Sequence, residues 1–214
     1  MNGMPERPRI LPAGERAWLV ECPEGRSTAL AEAIERGPCA QLIRDVVPAA
    51  VTVLVVTHRR SDRAAVRRQL RTHLDRLEAD VDPAGTARTV VVPVVYDGPD
   101  LEAVAAQTGL SRQEVVALHS GAVYTVAYFG FAPGFAYLTG LPEQLRLPRL
   151  TSPRQRVPGG SVAIANLQTA IYPGPMPSGW NQLGTAEIDL WDVTAVPPNR
   201  FELGDRVLFQ EVQR

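Results

Sequence analysis

The chain has 214 residues, of which 45% are hydrophobic, and a formal net charge of -1. That length is enough for one large core or two small ones, and the near-neutral charge argues against a general affinity for nucleic acid or membranes. All 22 basic residues are arginine, which excludes a lysine-dependent phosphate loop and Schiff-base chemistry but leaves anion recognition open.

Residues 1–85 predict a small two-layer α+β domain. The segment Ile10–Cys22 is typical of strands joined by a turn at Ala13-Gly14. Ser27 is a candidate cap for a short helix that ends near Gly37. The β-branched run Ala50–Thr57 predicts a buried strand.

A longer helix follows and begins at Ser61 or Asp62. Its apolar stripe has helical spacing and consists of Val66, Leu70, Leu74 and Leu77. Its other faces carry Arg63, Arg67, Arg68, Arg71 and Arg76. Such a basic face is usual for a solvated helix, and partner binding is the alternative. Residues Asp80–Ala87, with Pro83 and Gly85, are typical of a linker.

Residues 86–214 predict a second domain built mainly of strands. Its first strand, Thr89–Tyr96, contains Pro93, which favours an edge position or a bulge. Two short helices follow, and the second has a capping box, Ser111 with Glu114, and ends near Gly121. The later predicted strands are Val123–Phe129, Ser161–Ala165, Thr169–Tyr172, Ile188–Trp191 and Arg206–Phe209. Many short strands and few helices favour an all-β or barrel-like domain.

The histidines share no motif with another histidine or a cysteine, so the sequence predicts no metal site. His119 is distinctive because it ends the capped helix just before a segment rich in glycine, proline and aromatic residues. It is a candidate acid or base for catalysis. The alternative is a histidine that only stabilises the C-terminal end of its helix.

Arg154 and Arg156 lie immediately before the turn Pro158-Gly-Gly-Ser161. On an extended segment both arginines point the same way and together can hold a carboxylate or phosphate, with backbone N–H groups of the glycines nearby. The alternative is a surface arginine pair beside a tight turn. Ser161 does not lie in a nucleophile elbow.

Aromatic residues recur between Tyr124 and Trp180 among glycines and prolines; they include Phe131, Phe135, Tyr137 and Tyr172. Aromatic side chains are more often core than ligand contacts, but the neighbouring glycines and prolines favour the walls of a pocket.

Several motifs occur in order: Pro93-Val-Val-Tyr-Asp97, Leu118-His119, Gly130-Phe-Ala-Pro-Gly-Phe-Ala-Tyr-Leu138, Pro148-Arg149, Arg156-Val-Pro-Gly-Gly-Ser-Val-Ala-Ile164, Ile171-Tyr-Pro173 and Gly179-Trp180. Together they strongly resemble the family of 5-oxoprolinase B subunits. That family includes the Kip inhibitor of a sporulation histidine kinase and was long labelled allophanate hydrolase subunit 1. The resemblance covers most of residues 88–212.

The resemblance implies an α+β fold, with a small N-terminal α+β domain (residues 1–85) followed by a cyclophilin-like β-barrel domain (residues 86–214). It implies one component of an ATP-dependent 5-oxoprolinase that opens 5-oxo-L-proline to L-glutamate, working beside a C subunit with a related barrel and an A subunit. ATP, with Mg2+, is then used by the complex, and no cofactor of this chain alone is evident. The alternatives are an inhibitor of a sensor histidine kinase and a subunit related to allophanate hydrolase or urea carboxylase.

The resemblance makes His119 and Arg156 the candidate catalytic residues. The candidate substrate-binding residues, with Arg154 added from the arginine pair, are Pro133, Gly134, Phe135, Tyr137, Arg154, Pro158, Gly160, Ser161, Tyr172 and Trp180. The resemblance also implies a site shared between two barrels. The chain departs from the family pattern at four positions. Where the family often shows Ser-Pro-Gly-Gly-Trp, this chain has Met176 for the serine and Ser178 for the first glycine, and Thr185 and Ala186 stand where an arginine and a threonine are usual.

The first seven residues lack the apolar core of a signal peptide, and no apolar run is long enough to span a bilayer. The sequence therefore predicts a cytoplasmic protein whose partners are other proteins.

Overall fold

The computed structural model describes residues 8–23, 25–77 and 88–213. Two compact units, Met1–Thr86 and Ala87–Arg214, divide the chain. The predicted linker Asp80–Ala87, and with it the predicted boundary between residues 85 and 86, lies outside the described residues. Within the described ranges, no helix combines the length and the apolar character that a membrane crossing needs.

The first unit is a four-stranded antiparallel sheet with two helices. Its elements are β1 (Ile10–Ala13), β2 (Ala17–Glu21), α1 (Ser27–Glu35), β3 (Ile43–Pro48), β4 (Thr52–Thr57) and α2 (Arg63–Leu77). The strand order is β1-β2-β4-β3. The predicted turn at Ala13-Gly14 is confirmed, since β1 and β2 pair as a hairpin around it.

The apolar stripe predicted for α2 is buried at Val66, Leu70 and Leu74, and the side chain of Leu77 lies outside the described residues. Val66, Leu70 and Leu74 of α2 join Leu30 and Ile34 of α1 in one core with the sheet. Two details differ from the predictions. Ser27 is the first residue of α1 rather than its cap, and a 3-10 turn, Arg60–Asp62, precedes α2.

The second unit is a closed seven-stranded barrel with two helices and a separate two-stranded sheet. Its elements are β5 (Thr89–Val95), α3 (Leu101–Thr108), α4 (Arg112–Gly121), β6 (Val123–Phe129), β7 (Ala136–Thr139), β8 (Arg154–Val157), β9 (Ser161–Ala165), β10 (Gln168–Ile171), β11 (Met176–Ser178), β12 (Asn181–Ala186) and β13 (Arg206–Glu211). The barrel order is β10-β7-β6-β13-β5-β12-β9, and β8 pairs with β11. The predicted α+β fold with a barrel is confirmed.

Alternate residues of β9 and β10 enter two different cores because side chains alternate across a strand. Val162, Ile164 and Ile171 lie in the large core inside the barrel, together with residues of α3 and α4. Ala163 and Ala170 belong to a smaller cluster on the outer face. These small alanines leave room for aromatic rings to cover the outside of the barrel.

Three predictions of local structure have clear outcomes here. The capping box of α4 is confirmed, because the Glu114 N–H donates to Ser111 Oγ and Ser111 N–H donates to Glu114 Oε2. The edge prediction for Pro93 holds only locally: β5 pairs with β13 on one side and β12 on the other and is no edge strand, but the β12 pairing starts at Val94 and leaves Pro93 unpaired on that side. The predicted strand Ile188–Trp191 is also wrong, because Trp191 makes only an isolated bridge.

Candidate functional site

Five aromatic side chains meet on the outer face of the barrel. We call Phe131, Phe135, Tyr137, Tyr172 and Trp180 the aromatic cluster. Phe135 is its centre, with ring centroids 5.0 to 6.1 Å from those of the other four rings. Most of these pairs are edge-to-face or steeply tilted, which are favourable aromatic geometries. The structure therefore brings together the aromatic residues that the sequence identified as candidate pocket walls.

The loop between β6 and β7 presents Phe131 to solvent. Phe131 has a φ of 68°, a left-handed conformation that an aromatic residue rarely adopts, and its side chain is 63% exposed. Gly134 also has a positive φ, and a Cβ there would lie 2.9 Å from Trp191 Cβ, so only glycine fits. The loop is thus held against the Leu190-Trp191 segment while Phe131 faces outward.

Arg149 is a charged residue that lies beside the aromatic cluster. Its guanidinium carbon lies 5.9 Å from the centre of the Trp180 ring, a cation–π distance. Burial raises the pKa of the Tyr137 and Tyr172 phenols, and the positive charge of Arg149 offsets part of that rise. Both phenols are therefore neutral hydrogen-bonding groups near neutral pH.

Ser178, one of the departures from the family pattern, connects two members of the aromatic cluster. Its hydroxyl is hydrogen-bonded to the Tyr172 hydroxyl and accepts a hydrogen bond of 3.1 Å from the Trp180 backbone N–H. A glycine at this position would lack the oxygen for both contacts. The departure therefore fixes the Tyr172 phenol in place.

Arg154 forms an ion pair with a buried carboxylate. Its Nη1 and Nη2 donate to the two oxygens of Asp100 at 2.9 and 2.6 Å, and Asp100 is only 6% exposed. Asp100 also accepts from the Gln182 backbone N–H, while Ser161 Oγ donates to Gln182 Oε1 at 3.3 Å. The hypothesis that Arg154 and Arg156 bind one anion together is therefore corrected, because both terminal nitrogens of the Arg154 guanidinium already donate to Asp100.

Arg156 lies on the exposed side of β8. Val157, the next residue, belongs to the cluster around the aromatic rings, so strand alternation places Arg156 on the opposite face. The adjacent turn offers little to an anion, since Gly160 N–H donates to the Tyr172 carbonyl and Ser161 N–H to the Pro158 carbonyl. The predicted anion cradle of backbone N–H groups is corrected for these two groups.

His119 lies inside the barrel and has no exposed surface. Thr169 Oγ1 donates to the Ala163 carbonyl and therefore accepts from His119 Nε2 at 3.0 Å, which leaves Nδ1 to accept from the Tyr96 hydroxyl at 2.8 Å. Its ring stacks on Phe209 at 4.7 Å, and burial lowers its pKa to about 3. Because a catalytic base has to reach its substrate, we assign His119 to the core rather than to the site.

The candidate residues thus fall into four places. Phe135, Tyr137, Tyr172 and Trp180 meet in the aromatic cluster, flanked by the loop that contains Pro133 and Gly134. Arg154 and Ser161 belong to the Asp100 network, and His119 lies in the barrel. Arg156, Pro158 and Gly160 lie on β8 and in the turn that follows it. Arg149 was missed as a site residue, although the Pro148-Arg149 motif signalled it. Asp100 was missed because its partner Arg154 is 54 residues away.

The described residues contain no group of three or more His, Cys, Asp and Glu side chains arranged to hold a metal ion. The sequence has no lysine, and the two glycine-turn N–H groups described above are already bonded. Neither feature identifies a site for ATP and its magnesium ion among the described residues.

Comparison with known proteins identifies the class of protein to which this barrel belongs. A family model described as "Carboxyltransferase domain, subdomain C and D" matches residues 8–201, which is most of the chain. The aromatic cluster, the loop of Phe131 and the Asp100 network all lie within that matched range.

Curated relatives narrow the class further. The chain is 47% identical over 126 residues to the 5-oxoprolinase B subunit of Escherichia coli O157:H7, covering 58% of each protein. It is 38% identical over 151 residues to the 5-oxoprolinase B subunit of Bacillus subtilis, covering 69% of this chain and 62% of the relative. The chain therefore belongs to the family of 5-oxoprolinase B subunits, and its match spans less than two thirds of the length of these relatives.

Solved structures share the fold. TTHA0988 superposes with a TM-score of 0.75 at 40% identity, over 93% of this chain but only 40% of TTHA0988. PH0987 from Pyrococcus horikoshii has a TM-score of 0.57 at 34% identity and is covered over 97% of its length. The K. lactis urea amidolyase has a TM-score of 0.71 at 19% identity over 15% of its chain, a likeness of fold alone.

Proposed function

We propose that this chain is one component of an ATP-dependent 5-oxoprolinase, and that its aromatic cluster forms one wall of the site that binds 5-oxo-L-proline. The curated relatives named as B subunits of 5-oxoprolinase support the enzyme. The observation that carries the proposal is the exposed ring of Phe131 on an otherwise largely buried aromatic cluster, with the exposed cation Arg149 beside Trp180.

The chemistry of 5-oxo-L-proline suits this surface. The substrate is a small, nearly flat lactam ring that carries a carboxylate. Aromatic faces contact such a ring, and a guanidinium binds a carboxylate with two parallel hydrogen bonds. Arg149 is the group that we assign to the carboxylate, and the neutral Tyr137 phenol is the donor that we assign to the lactam carbonyl.

The same surface lacks the groups that would complete the reaction. Opening the lactam requires activation of its carbonyl and a group that moves a proton. Among the described residues, Arg149 is the charged side chain beside the aromatic cluster. His119 is enclosed in the barrel and does not reach this surface. We likewise assign ATP and its magnesium ion to another chain of the complex.

A second protein chain therefore has to supply the acid–base groups and the ATP site. We assign this role to a C subunit with a related barrel, together with an A subunit. The proposal is supported by TTHA0988, in which the matched fold is 40% of a longer chain.

Reconstitution tests the proposal. The chain is combined with the A and C subunits of a 5-oxoprolinase, and ATP hydrolysis that depends on 5-oxo-L-proline is measured. Arg149→Gln is expected to lower kcat/KM about tenfold or more, the equivalent of about 1.4 kcal/mol of lost binding. The matched control is Arg206→Gln, an exposed arginine on β13, which should leave the activity unchanged.

Two outcomes contradict the proposal. No substrate-dependent ATP hydrolysis with all three proteins present rejects the enzyme. Equal activities of Arg149→Gln and Arg206→Gln reject the assigned site while leaving the enzyme in place.

The kinase-inhibitor alternative stays a prediction, and adding the purified chain to a sensor histidine kinase tests it, because the enzyme proposal expects no change in autophosphorylation. The cytoplasmic location also stays a prediction. The urea carboxylase likeness, at 19% identity, supports the fold and no substrate.

A further inference from the structure

The first unit contains an open cleft of about 710 Å³ that is lined mainly by arginine. We call it the arginine cleft; it is formed by Trp18, Arg60, Arg63, Arg67, Arg68 and Arg71. The single acidic residue in its lining is Asp75. The cleft lies along α2 and belongs wholly to the first unit, so it is separate from the aromatic cluster.

The arginines of this cleft are unusually free of counter-charges. No ion pair within the described residues involves Arg63, Arg67, Arg68 or Arg71. Arg60 has a single long contact of 3.8 Å with the exposed Glu15. Like charges four residues apart on a helix, such as Arg63 with Arg67, repel each other. The isolated chain therefore carries a repulsion that an anionic partner would relieve.

Arg63 is held in a fixed position at the floor of the cleft. Its guanidinium carbon lies 4.0 Å from the centre of the Trp18 ring, and Trp18 Nε1 donates to the Arg63 carbonyl at 3.0 Å. Two of its nitrogens, Nε and Nη2, are out of solvent and have no acceptor among the described residues. A cation fixed in this way loses little side-chain freedom when an anion binds at its open side.

We propose that the arginine cleft docks a short acidic segment of a partner polypeptide. Charge complementarity selects carboxylates, since guanidinium forks match them with two hydrogen bonds. The rise from residue 63 to residue 71 is about 12 Å at 1.5 Å per helical residue, which is the length of about four residues of extended chain. The line of arginines from Arg63 to Arg71 therefore suits several carboxylates along a peptide rather than one small anion.

Single-stranded nucleic acid is the less favoured occupant for two reasons. The Trp18 ring that could stack on a base is already covered by Arg63, with Arg67 at 5.4 Å. The whole chain also carries a net charge of -1, which gives no long-range attraction for a polyanion.

Fluorescence anisotropy with defined probes tests the proposal. The probes are a labelled short peptide of alternating glutamate and alanine, the same peptide with glutamine for glutamate, a short single-stranded oligonucleotide and inorganic tripolyphosphate as competitor. The full chain is expected to bind the glutamate peptide, and Arg67→Gln with Arg71→Gln should weaken binding about tenfold or more. The control pair Arg36→Gln with Arg44→Gln removes the same charge from the first unit outside the cleft and should change binding less than about twofold.

Every other result overturns the proposal. No binding of the glutamate peptide at low salt, equal loss in the two double variants, or equal binding of the glutamine peptide each rejects the cleft as an acidic-peptide site. Tighter binding of the oligonucleotide, or full displacement of the peptide by stoichiometric tripolyphosphate, reassigns the cleft to phosphates. Because the two substitutions in α2 remove repulsion between exposed arginines, the Tm of that variant should not fall, which separates lost binding from lost folding.

Discussion

The second unit contains two groups of aromatic rings that differ in what surrounds them. Inside the barrel, Tyr96, Tyr124 and Phe209 enclose His119, and both ring nitrogens of His119 are hydrogen-bonded. On the outside, the aromatic cluster is open at Phe131 and has an exposed cation, Arg149. Aromatic composition is therefore no guide to function here. What distinguishes the outer group is the exposure of Phe131 and the neighbouring charge of Arg149, which no carboxylate neutralises among the described residues.

The largest expected effect comes from His119→Ala, which tests whether the inner group is structural. The change leaves a cavity and deprives the buried Tyr96 and Thr169 hydroxyls of a partner, so the free energy of unfolding should fall by about 3 kcal/mol. Urea unfolding is followed by tryptophan fluorescence in a Trp18→Phe background, where Trp180 and Trp191 report on the second unit. An enzyme that loses its activity while the unfolding free energy stays within about 0.5 kcal/mol would instead make His119 catalytic.

The pH dependence of stability sharpens the same comparison. The pKa of His119 is about 3 in the folded chain against an ordinary value of 6.5, so the unfolded state binds the proton more readily. The stabilisation is complete above pH 6.5 and is lost as the pH falls from 6.5 towards 3, with a slope of up to about 1.4 kcal/mol per pH unit.

The control for this titration is His119→Gln, which cannot take up the proton. Unfolding free energies of the two proteins are compared from pH 7 down to about pH 4.5, so that carboxylates titrate equally in both. Parallel curves for the two proteins would contradict the buried, neutral histidine.

The smallest expected effect concerns the outer group. Ser178→Ala removes the hydroxyl that holds the Tyr172 phenol and the Trp180 N–H, and should cost about 1 kcal/mol of stability. A double-mutant cycle with Tyr172→Phe should give a coupling energy of about 0.5 kcal/mol or more. Additive effects of the two changes would show that the contact does not position the phenol.

Local sequence patterns predicted many of the elements correctly. The stripe of α2, the capping box of α4 and the hairpin at Ala13-Gly14 depend on residues close together in the chain, so periodicity and capping signals were sufficient. The short strands β7, β8 and β11 carry no strong pattern because they have only three or four residues each. They form through pairing with distant strands, which local propensity does not encode.

The sequence by itself determined the family and the candidate aromatic residues, their order in the motifs and the exclusion of lysine chemistry. Only the tertiary structure decided which side of the barrel each residue occupies. A strand pattern defines two faces, but closure of the sheet selects the inner one. The packing of helices and loops on the closed barrel then places His119 of α4 inside, pairs Arg154 with Asp100 across 54 residues, and leaves Arg149 beside Trp180.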